Sequence, residues 1–513
     1  MHTFQGGAGR GPIHTIEGGA ERGPIVSATI AAGAILLLAL TVAAGLPTAE
    51  VGMVLAVAVL AAVGYRVLLR WHVQLVFLLV VILFIPIKRY GLPGNLPFDL
   101  EPYRLVVMLL LAGWLTSLLV DPRTRLRASG LEGPLMLIAF ASLGSVLVNG
   151  PRVDELEVGG DVIKALMFLF SFLVVFYMIV SVIRAYDHVR LLVQVLVAGG
   201  AFVAVFSVVE AQTGFNLFNQ LANFIPVLSL TETIGDGMTR GGRLRVFASS
   251  QGPIPLGSAL VMILPLAIYM ARTSTTAWPW WVTVGSLALG ALATGSRTSV
   301  VMMVAVGLVF LWLRPTATRR ALSLLLIPAI VAVHVVLPGT IGSLRASFFP
   351  EGGLIAEQQS NPGYRGSGRL ADVGPTIDEF VEKPLLGQGY GTRITGRGLD
   401  SNALILDNQW LKTLVETGAV GTFAWIWLFV RFARRIAPRA KEDPGERGWL
   451  LASLVAGVLA FAVGQFFYDA FSFIQVTFLL YIMLALGSVM VMLPERKPRA
   501  RSARRIIRRA APE

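Results

Sequence analysis

Fourteen apolar runs, uncharged or nearly so, recur along the chain at lengths near those a helix needs to cross a bilayer. A helix spans the hydrocarbon core with about 20 mostly apolar residues. The runs lie near residues 25–45, 50–65, 71–87, 104–120, 132–149, 162–183, 188–210, 254–271, 278–294, 297–313, 321–338, 412–432, 449–468 and 472–493. The run at 50–65 is short and two pairs are closely joined, so we expect twelve to fourteen transmembrane helices.

The composition agrees with an all-α polytopic membrane protein. Hydrophobic residues make up 55% of the 513 residues and charged residues only 14%, whereas soluble proteins carry about 25% charged residues. The chain has no cysteine, which excludes disulfide scaffolds and metal sites built on thiolates.

The charges between the runs predict the orientation of the chain. If all fourteen runs span and the N-terminus is cytoplasmic, the inner segments carry 27 Lys and Arg against 10 Asp and Glu, and the outer segments carry 16 against 20. Short arginine-rich inner connections are what the positive-inside rule requires. We therefore predict a multi-pass protein of the cytoplasmic membrane with both termini in the cytoplasm.

This topology divides the chain into five parts. They are a flexible tail at 1–24, a transmembrane bundle at 25–337 with an outer loop at 211–253, a large extracytoplasmic loop at 338–411, three C-terminal helices at 412–493 and a basic tail at 494–513.

Part of the large loop has a helical pattern. Leu370, Val373, Ile377 and Phe380 are spaced by three and four residues, which predicts an amphipathic helix on the membrane surface or over a cavity. Pro384 should end it.

Ionisable residues are nearly absent from the middle of the spans. Glu210, Arg297, Glu416 and Asp469 all fall at outer ends on this topology. Ion-coupled transporters usually carry charged residues near the bilayer midplane. The pattern therefore favours chemistry on a lipid-linked substrate at the outer boundary.

Several arginines lie on the predicted outer side. Arg297 occupies a very short turn between two spans, Arg243 and Arg245 crowd the first outer loop, and Arg369 precedes the amphipathic segment. Guanidinium groups match phosphate oxygens bidentately and keep their charge, so together these side chains could hold a polyprenyl diphosphate. A single arginine at this level more often snorkels to lipid headgroups.

Three glycines follow the amphipathic segment. Gly387, Gly389 and Gly391 alternate with other residues, but no strand–helix unit surrounds them, so they are not a dinucleotide fingerprint. They predict a tight turn that brings backbone close to a ligand or to a helix end.

These motifs, in this order, resemble the O-antigen ligase and polymerase superfamily. The matching elements are Gly295-Ser-Arg-Thr-Ser299 at the start of a span, Arg369 followed by Pro384-Leu-Leu-Gly-Gln-Gly389, Asp407-Asn-Gln-Trp-Leu411 running to Glu416-Thr-Gly-Ala-Val-Gly421, and more loosely Arg245-Val-Phe247 followed by Gly252-Pro253. The resemblance covers about residues 71–493, with its strong motifs at 240–425.

The resemblance implies a C-type membrane glycosyltransferase fold. Such enzymes take a glycan from an undecaprenyl-diphosphate carrier and transfer it to an acceptor hydroxyl on a glycan or glycolipid, without metal, other cofactor or nucleotide sugar. Membrane lipids and polysaccharide-assembly proteins are the other expected partners, and no nucleic acid is expected.

The resemblance also assigns roles to single residues. Arg297 and Arg369, with Arg245, would bind the diphosphate, and Asp407 would take the proton of the acceptor hydroxyl or orient it. The remaining substrate-binding positions are Arg243, Ser296, Gly387, Gly389, Gly391 and Asn408.

Asp407 departs from many ligases, which have histidine at this position. The five histidines, His2, His14, His72, His188 and His334, all lie outside the two large outer loops. The aspartate favours a polymerase or another glycan transferase over a ligase. The alternative role for Asp407 is an N-cap of the following helix. The alternatives for the protein are a flippase for lipid-linked glycans and a scaffold without chemistry.

Overall fold

The computed structural model of the protein describes residues 69–92, 100–231, 239–240, 243–349, 373–393 and 406–494, and the isolated positions 33, 39, 43 and 67. The two first apolar runs, at 25–45 and 50–65, and most of both predicted tails lie outside the described residues. The chain divides into two units. The smaller contains residues 1–73 with 225–227, and the larger contains residues 74–224 and 228–513.

The described residues are mostly helical. In chain order they form α1 Trp71–Phe84, α2 Pro102–Val120, α3 Glu132–Val148, α4 Gly150–Glu155, α5 Gly159–Val182, α6 Tyr186–Thr213, α7 Leu221–Phe224, α8 Pro253–Thr273, α9 Trp278–Ala293, α10 Arg297–Leu313, α11 Pro315–Val336, α12 Thr340–Phe348, α13 Val373–Glu382, α14 Gln409–Glu442, α15 Glu446–Gly464 and α16 Ile474–Met492. Two short antiparallel ribbons pair β1 Tyr90–Gly91 with β2 Ser229–Leu230, and β3 Thr239–Arg240 with β4 Arg243–Leu244.

Twelve of these helices coincide with the twelve apolar runs of the described residues. Eight are long and apolar enough to cross a membrane by themselves: α2, α5, α6, α8, α11, α14, α15 and α16. The all-α polytopic fold class is confirmed. Proline lies in the first turn of α2, α8, α9 and α11, where its missing N–H would have had no intrahelical partner.

The helices differ in how far the bundle encloses them. α8 and α16 are buried over nearly their whole length, whereas α11 has no buried residue. Small residues bring neighbours close: a Cβ on Gly290 of α9 would lie 2.8 Å from the Cα of Ala204 in α6. Without a hydrophobic driving force between helices in lipid, such close approach supplies much of the packing energy.

A buried arginine ties the loop after α6 to the chain that follows α1. Arg89 is 1% exposed and donates to the Asn219 Oδ1 at 2.7 Å and the Ser250 carbonyl at 2.6 Å. Burial lowers the pKa of Arg89 to about 10, an effect that the nearby Glu210 carboxylate opposes. The guanidinium is therefore still charged at neutral pH, and it anchors both ends of this loop.

The predicted amphipathic helix forms as α13, which ends just before Lys383 and Pro384. Its apolar residues Val373 and Ile377 are exposed. The Gln388 side chain returns to the helix and donates to the Glu379 carbonyl at 3.1 Å.

The longest helix, α14, is broken at Gly418. This glycine has φ 65° and ψ −163°, a region that only glycine occupies at little cost. In a continuous helix the N–H groups of Ala419 and Val420 would bond to the carbonyls of Val415 and Glu416. The break leaves these four backbone groups without helical partners.

The segment that carries the predicted glycine turn satisfies all four groups. Ala419 and Val420 donate to the Pro384 and Leu385 carbonyls at 2.8 and 3.2 Å. In return, Gln388 and Gly389 donate to the Val415 and Glu416 carbonyls at 2.8 and 3.2 Å. We call this reciprocal set of bonds the Gly418 seam.

The seam requires the two backbones to approach very closely. A Cβ on Gly387 would lie 2.3 Å from the Val415 carbonyl oxygen, and one on Gly418 would lie 2.3 Å from the Leu385 carbonyl oxygen. The end of α3 also contacts the seam, because Asn149 donates to the Gly387 carbonyl at 3.0 Å. The glycine turn was predicted to bring backbone close to a ligand or to a helix end. At Gly387 the neighbour is a helix end, the turn of α14 that ends at Gly418.

We expect Gly418→Ala to destabilise the protein strongly. The backbone strain alone is worth about 1–3 kcal/mol, and the new methyl group would collide with Leu385. Gly307→Ala is the matched control, because Gly307 lies in α10 with nothing within 4 Å of its Cβ position. Thermal unfolding in detergent should show a lower midpoint for the first variant and an unchanged or raised midpoint for the second. Equal midpoints would contradict the seam.

Candidate active site

A cavity of about 980 Å³ lies at one end of the bundle, where α2, α5, α8, α14 and α16 begin. We call this the cavity end. Its lining combines charged and aromatic side chains, as a substrate with a polar head and an apolar tail would require.

The charged lining contains equal numbers of acidic and basic residues. They are Glu101, Asp161, Asp407, Glu416 and Asp469 with Lys88, Arg104, Lys164, Arg393 and Lys412. The Arg104 guanidinium contacts the Glu101 carboxylate at 2.8 Å, and the Lys164 ammonium lies 3.7 Å from Asp161. The cations are therefore held in place but retain donors that an anionic ligand could use.

Aromatic side chains form the apolar part of the lining. Trp425 stacks on Phe471 with ring centroids 4.3 Å apart, and Phe172 stacks on Tyr481 at 5.5 Å. All four line the cavity. Large flat apolar faces of this kind suit a sugar ring or a prenyl chain.

The start of α14 supplies one wall of the cavity. Asn408 is its N-cap, because the Asn408 Oδ1 accepts from the backbone N–H groups of Trp410 and Leu411 at 3.0 and 3.2 Å. The capping alternative for Asp407 is therefore wrong by one residue. Asp407 is exposed and lines the cavity, and its catalytic role stays a prediction.

Three ionisable side chains lie deeper along the same wall. The Lys412 Nζ lies 2.9 Å from the Asp469 Oδ2, and this pair is largely buried. Glu416, one turn further along α14, is 3% exposed, and its Oε1 has no hydrogen-bond partner within the described residues. Arg393 approaches from the chain after the glycine turn and pairs with Glu379.

Two tyrosines complete this region outside the spans. Burial raises the pKa of the Tyr390 hydroxyl, and the carboxylates of Glu416 and Asp469 raise it further. Burial likewise raises the pKa of Tyr468. Both hydroxyl groups therefore stay protonated at neutral pH and can donate hydrogen bonds to a ligand.

Two of the predicted arginines lie outside the cavity lining. Arg297 begins α10 and Arg245 follows β4, and neither is among the residues that line the cavity in the described part of the chain. Arg243 belongs to β4, and Arg369 lies outside the described residues. Ser296 is buried as the residue before α10.

The start of α10 packs against α8 instead. A Cβ on Gly257 of α8 would lie 1.9 Å from the Ser299 hydroxyl. Ile254, one turn earlier in α8, does line the cavity, so α10 packs on a helix that contributes to the cavity wall. Of the three predicted glycines, Gly391 lines the cavity, while Gly387 and Gly389 belong to the seam.

The sequence motifs did not indicate the cations that line the cavity. Arg104, Lys164 and Lys412 each follow shortly after the start of a helix that begins at the cavity end. Cations at helix N-termini oppose the helix dipole, which makes this placement unusual. Its repetition in three spans was the signal in the sequence that could have identified an anion site.

A wider comparison identifies the part of the chain that contributes the α14 wall of this site. Residues 282–426 match the family model described as O-antigen ligase. Over this segment the chain is similar to the O-antigen ligase family. The predicted resemblance is confirmed, and together with the spans it indicates a multi-pass membrane glycan ligase or polymerase. Comparison with curated proteins gave no match.

The matched segment supplies only part of the cavity. Its lining residues include Tyr390, Lys412 and Glu416, whereas Lys88, Arg104 and Lys164 come from the chain before the segment, and Asp469 and Tyr481 from the chain after it. The cavity therefore depends on helices from both sides of the matched segment.

We expect Asn408→Ala to lower the free energy of unfolding by about 0.5–2 kcal/mol, the usual value of an N-cap. Asp407→Ala should cost less, because Asn408 is the residue whose side chain caps α14. Chemical denaturation in detergent, followed by tryptophan fluorescence, measures both. A larger loss for Asp407→Ala would contradict the assignment of the cap.

Proposed function

We propose that the protein transfers a glycan from an undecaprenyl-diphosphate carrier to an acceptor hydroxyl at the outer face of the cytoplasmic membrane. The observation that carries this proposal is the amphipathic cavity at one end of the bundle. Five cations line it, and part of its wall belongs to the segment that matches the O-antigen ligase family. The arginine-rich connections support a cytoplasmic position for the opposite end.

The basic lining suits a diphosphate. Arg104 also faces the Phe168 ring, with 5.5 Å from the guanidinium carbon to the ring centroid, so its plane is held by both a carboxylate and an aromatic face. α2, α5 and α14 present their N-termini at this end, where their dipoles favour anions. These groups would bind the carrier diphosphate and stabilise the charge that develops on it as the glycosidic bond breaks.

The sequence-predicted arginines remain part of the proposal. Arg297, at the start of α10, and Arg369 would add guanidinium contacts to the diphosphate, and Arg245 would assist. Asp407, at the exposed part of the lining, would orient the acceptor hydroxyl. The resemblance supports a reaction without a metal ion.

The acceptor separates the two forms of this reaction. A ligase would use a glycolipid acceptor, and a polymerase would use another carrier-linked repeat unit. Aspartate at position 407 instead of histidine favours the polymerase type. Partners in this proposal are the donor, the acceptor, membrane lipids and other proteins of envelope polysaccharide assembly.

Reconstitution tests the proposed function directly. Purified protein in liposomes with an undecaprenyl-diphosphate-linked oligosaccharide should yield longer carrier-linked glycans, or a glycosylated acceptor when one is added. Mass spectrometry of the extracted lipids detects either product. Movement of the donor between leaflets without any joined product would favour a flippase. The absence of both movement and joined product would favour a scaffold.

Arg104→Gln should raise the KM for the carrier-linked donor about tenfold or more, because a hydrogen bond to a charged group is worth about 1.5–3 kcal/mol. Arg123→Gln is the matched control, since Arg123 is exposed just beyond the opposite end of α2. Initial rates over a range of donor concentrations give both values. An unchanged KM for Arg104→Gln would remove this residue from the diphosphate site.

A further inference from the structure

Glu416 is a buried carboxylate, and with it the negative charges in this region outnumber the positive ones. The Lys412 ammonium is bonded to Asp469, and the Arg393 guanidinium is bonded to Glu379. Glu416 lies within electrostatic reach of Lys412, Asp469 and Arg393 but is in none of the ion pairs formed by the described residues. Burying a carboxylate without a dedicated partner is costly, so its retention needs an explanation.

The backbone at Glu416 is fixed more firmly than an ordinary helical position. Its carbonyl accepts from the Gly389 N–H across the Gly418 seam at 3.2 Å and from the Ser145 hydroxyl of α3. The side chain reaches the cavity, where its Oε1 has no hydrogen-bond partner among the described residues. A preorganised carboxylate with one unfilled acceptor position is suited to receive a hydroxyl group of a ligand.

Asp407 offers a different environment at the same cavity. It is exposed, so water competes for its oxygens, and a hydrated carboxylate must release water before it contacts a substrate proton. The Glu416 Oε1, in contrast, is buried away from bulk solvent. The buried carboxylate of Glu416 is therefore better suited to proton transfer, and the exposed carboxylate of Asp407 is better suited to orienting the acceptor hydroxyl.

We infer that Glu416 is the carboxylate that accepts the proton of the acceptor hydroxyl during glycosyl transfer. This inference rests on the proposed function and names the catalytic residue of that same site. The acceptor oxygen forms a bond to the anomeric carbon as its proton passes to the Glu416 carboxylate. The bond from that carbon to the diphosphate oxygen breaks, and its electron pair leaves with the diphosphate.

Glu416→Gln tests the inference, with Glu442→Gln as the matched control. Glu442 is exposed at the opposite end of the same helix. General-base catalysis contributes about 10²–10⁴-fold, so kcat for Glu416→Gln should fall at least about 100-fold while the donor KM changes only a few-fold. The control should keep wild-type kcat.

A second pair of variants separates proton transfer from charge balance. Glu416→Asp keeps the charge but withdraws the carboxylate by one methylene, so kcat should still fall. The double variant Lys412→Gln with Glu416→Gln restores the local charge balance and should stay inactive. Recovery of turnover in the double variant, or wild-type turnover in Glu416→Asp, would reduce Glu416 to a charge-balancing residue.

The outcomes also distinguish this inference from the proposed function. Wild-type turnover in Glu416→Gln, beside an active wild-type protein, would overturn the inference and leave glycosyl transfer standing. If Glu416→Gln does not fold, as judged by size-exclusion chromatography, the Glu416→Asp result decides. Absence of joined product with the wild-type protein would overturn the proposed function itself.

Discussion

Four backbone hydrogen bonds across the Gly418 seam determine where the parts of the cavity lie. A break in a membrane helix exposes polar groups that lipid cannot satisfy, and here a segment some thirty residues upstream satisfies each of them. The carbonyls of Pro384 and Leu385 accept hydrogen bonds from the N–H groups after the break, and the N–H groups of Gln388 and Gly389 donate to the carbonyls before it. The exchange joins the end of the large loop to the start of the last three helices.

The rest of the site follows from that connection. Because the chain from Pro384 to Gly389 is fixed against α14, the residues that follow it, Tyr390 to Arg393, reach the cavity beside Lys412 and Glu416. The end of α3 packs on the same seam through Ser145 and Asn149. The loop segment from Pro384 to Arg393 and the helix α14 therefore form one wall of the cavity.

The sequence predicted the bundle well and the site less well, for physical reasons. Span positions follow from hydropathy, which is a property of a local window, so twelve runs became twelve helices at nearly the predicted residues. The side of a helix that faces a cavity depends on its neighbours. Arg297 stood out because it interrupts an apolar region, whereas Arg104 and Lys164 resembled ordinary flanking charges. Of these three residues, Arg104 and Lys164 line the cavity.

Two further differences come from single-residue geometry. Asp407 and Asn408 are both good N-caps, and only the register of the first turn of α14 decides that Asn408 has this role. Gly418 lies in an apolar run that continues on both sides, so its break cannot be read from that run. It depends on a partner segment that is distant in sequence.

The break also sets the depth at which the seam lies in the bilayer. The uncharged part of α14 beyond the break, from Ala419 to Val430, is about 18 Å long at about 1.5 Å per residue, and Arg431, Arg434 and Arg435 follow it. This length is less than the roughly 30 Å thickness of a hydrocarbon core, so the two turns before Gly418 must complete the crossing. The seam therefore lies within the span, where a backbone group that has lost its helical partner needs another partner from the protein.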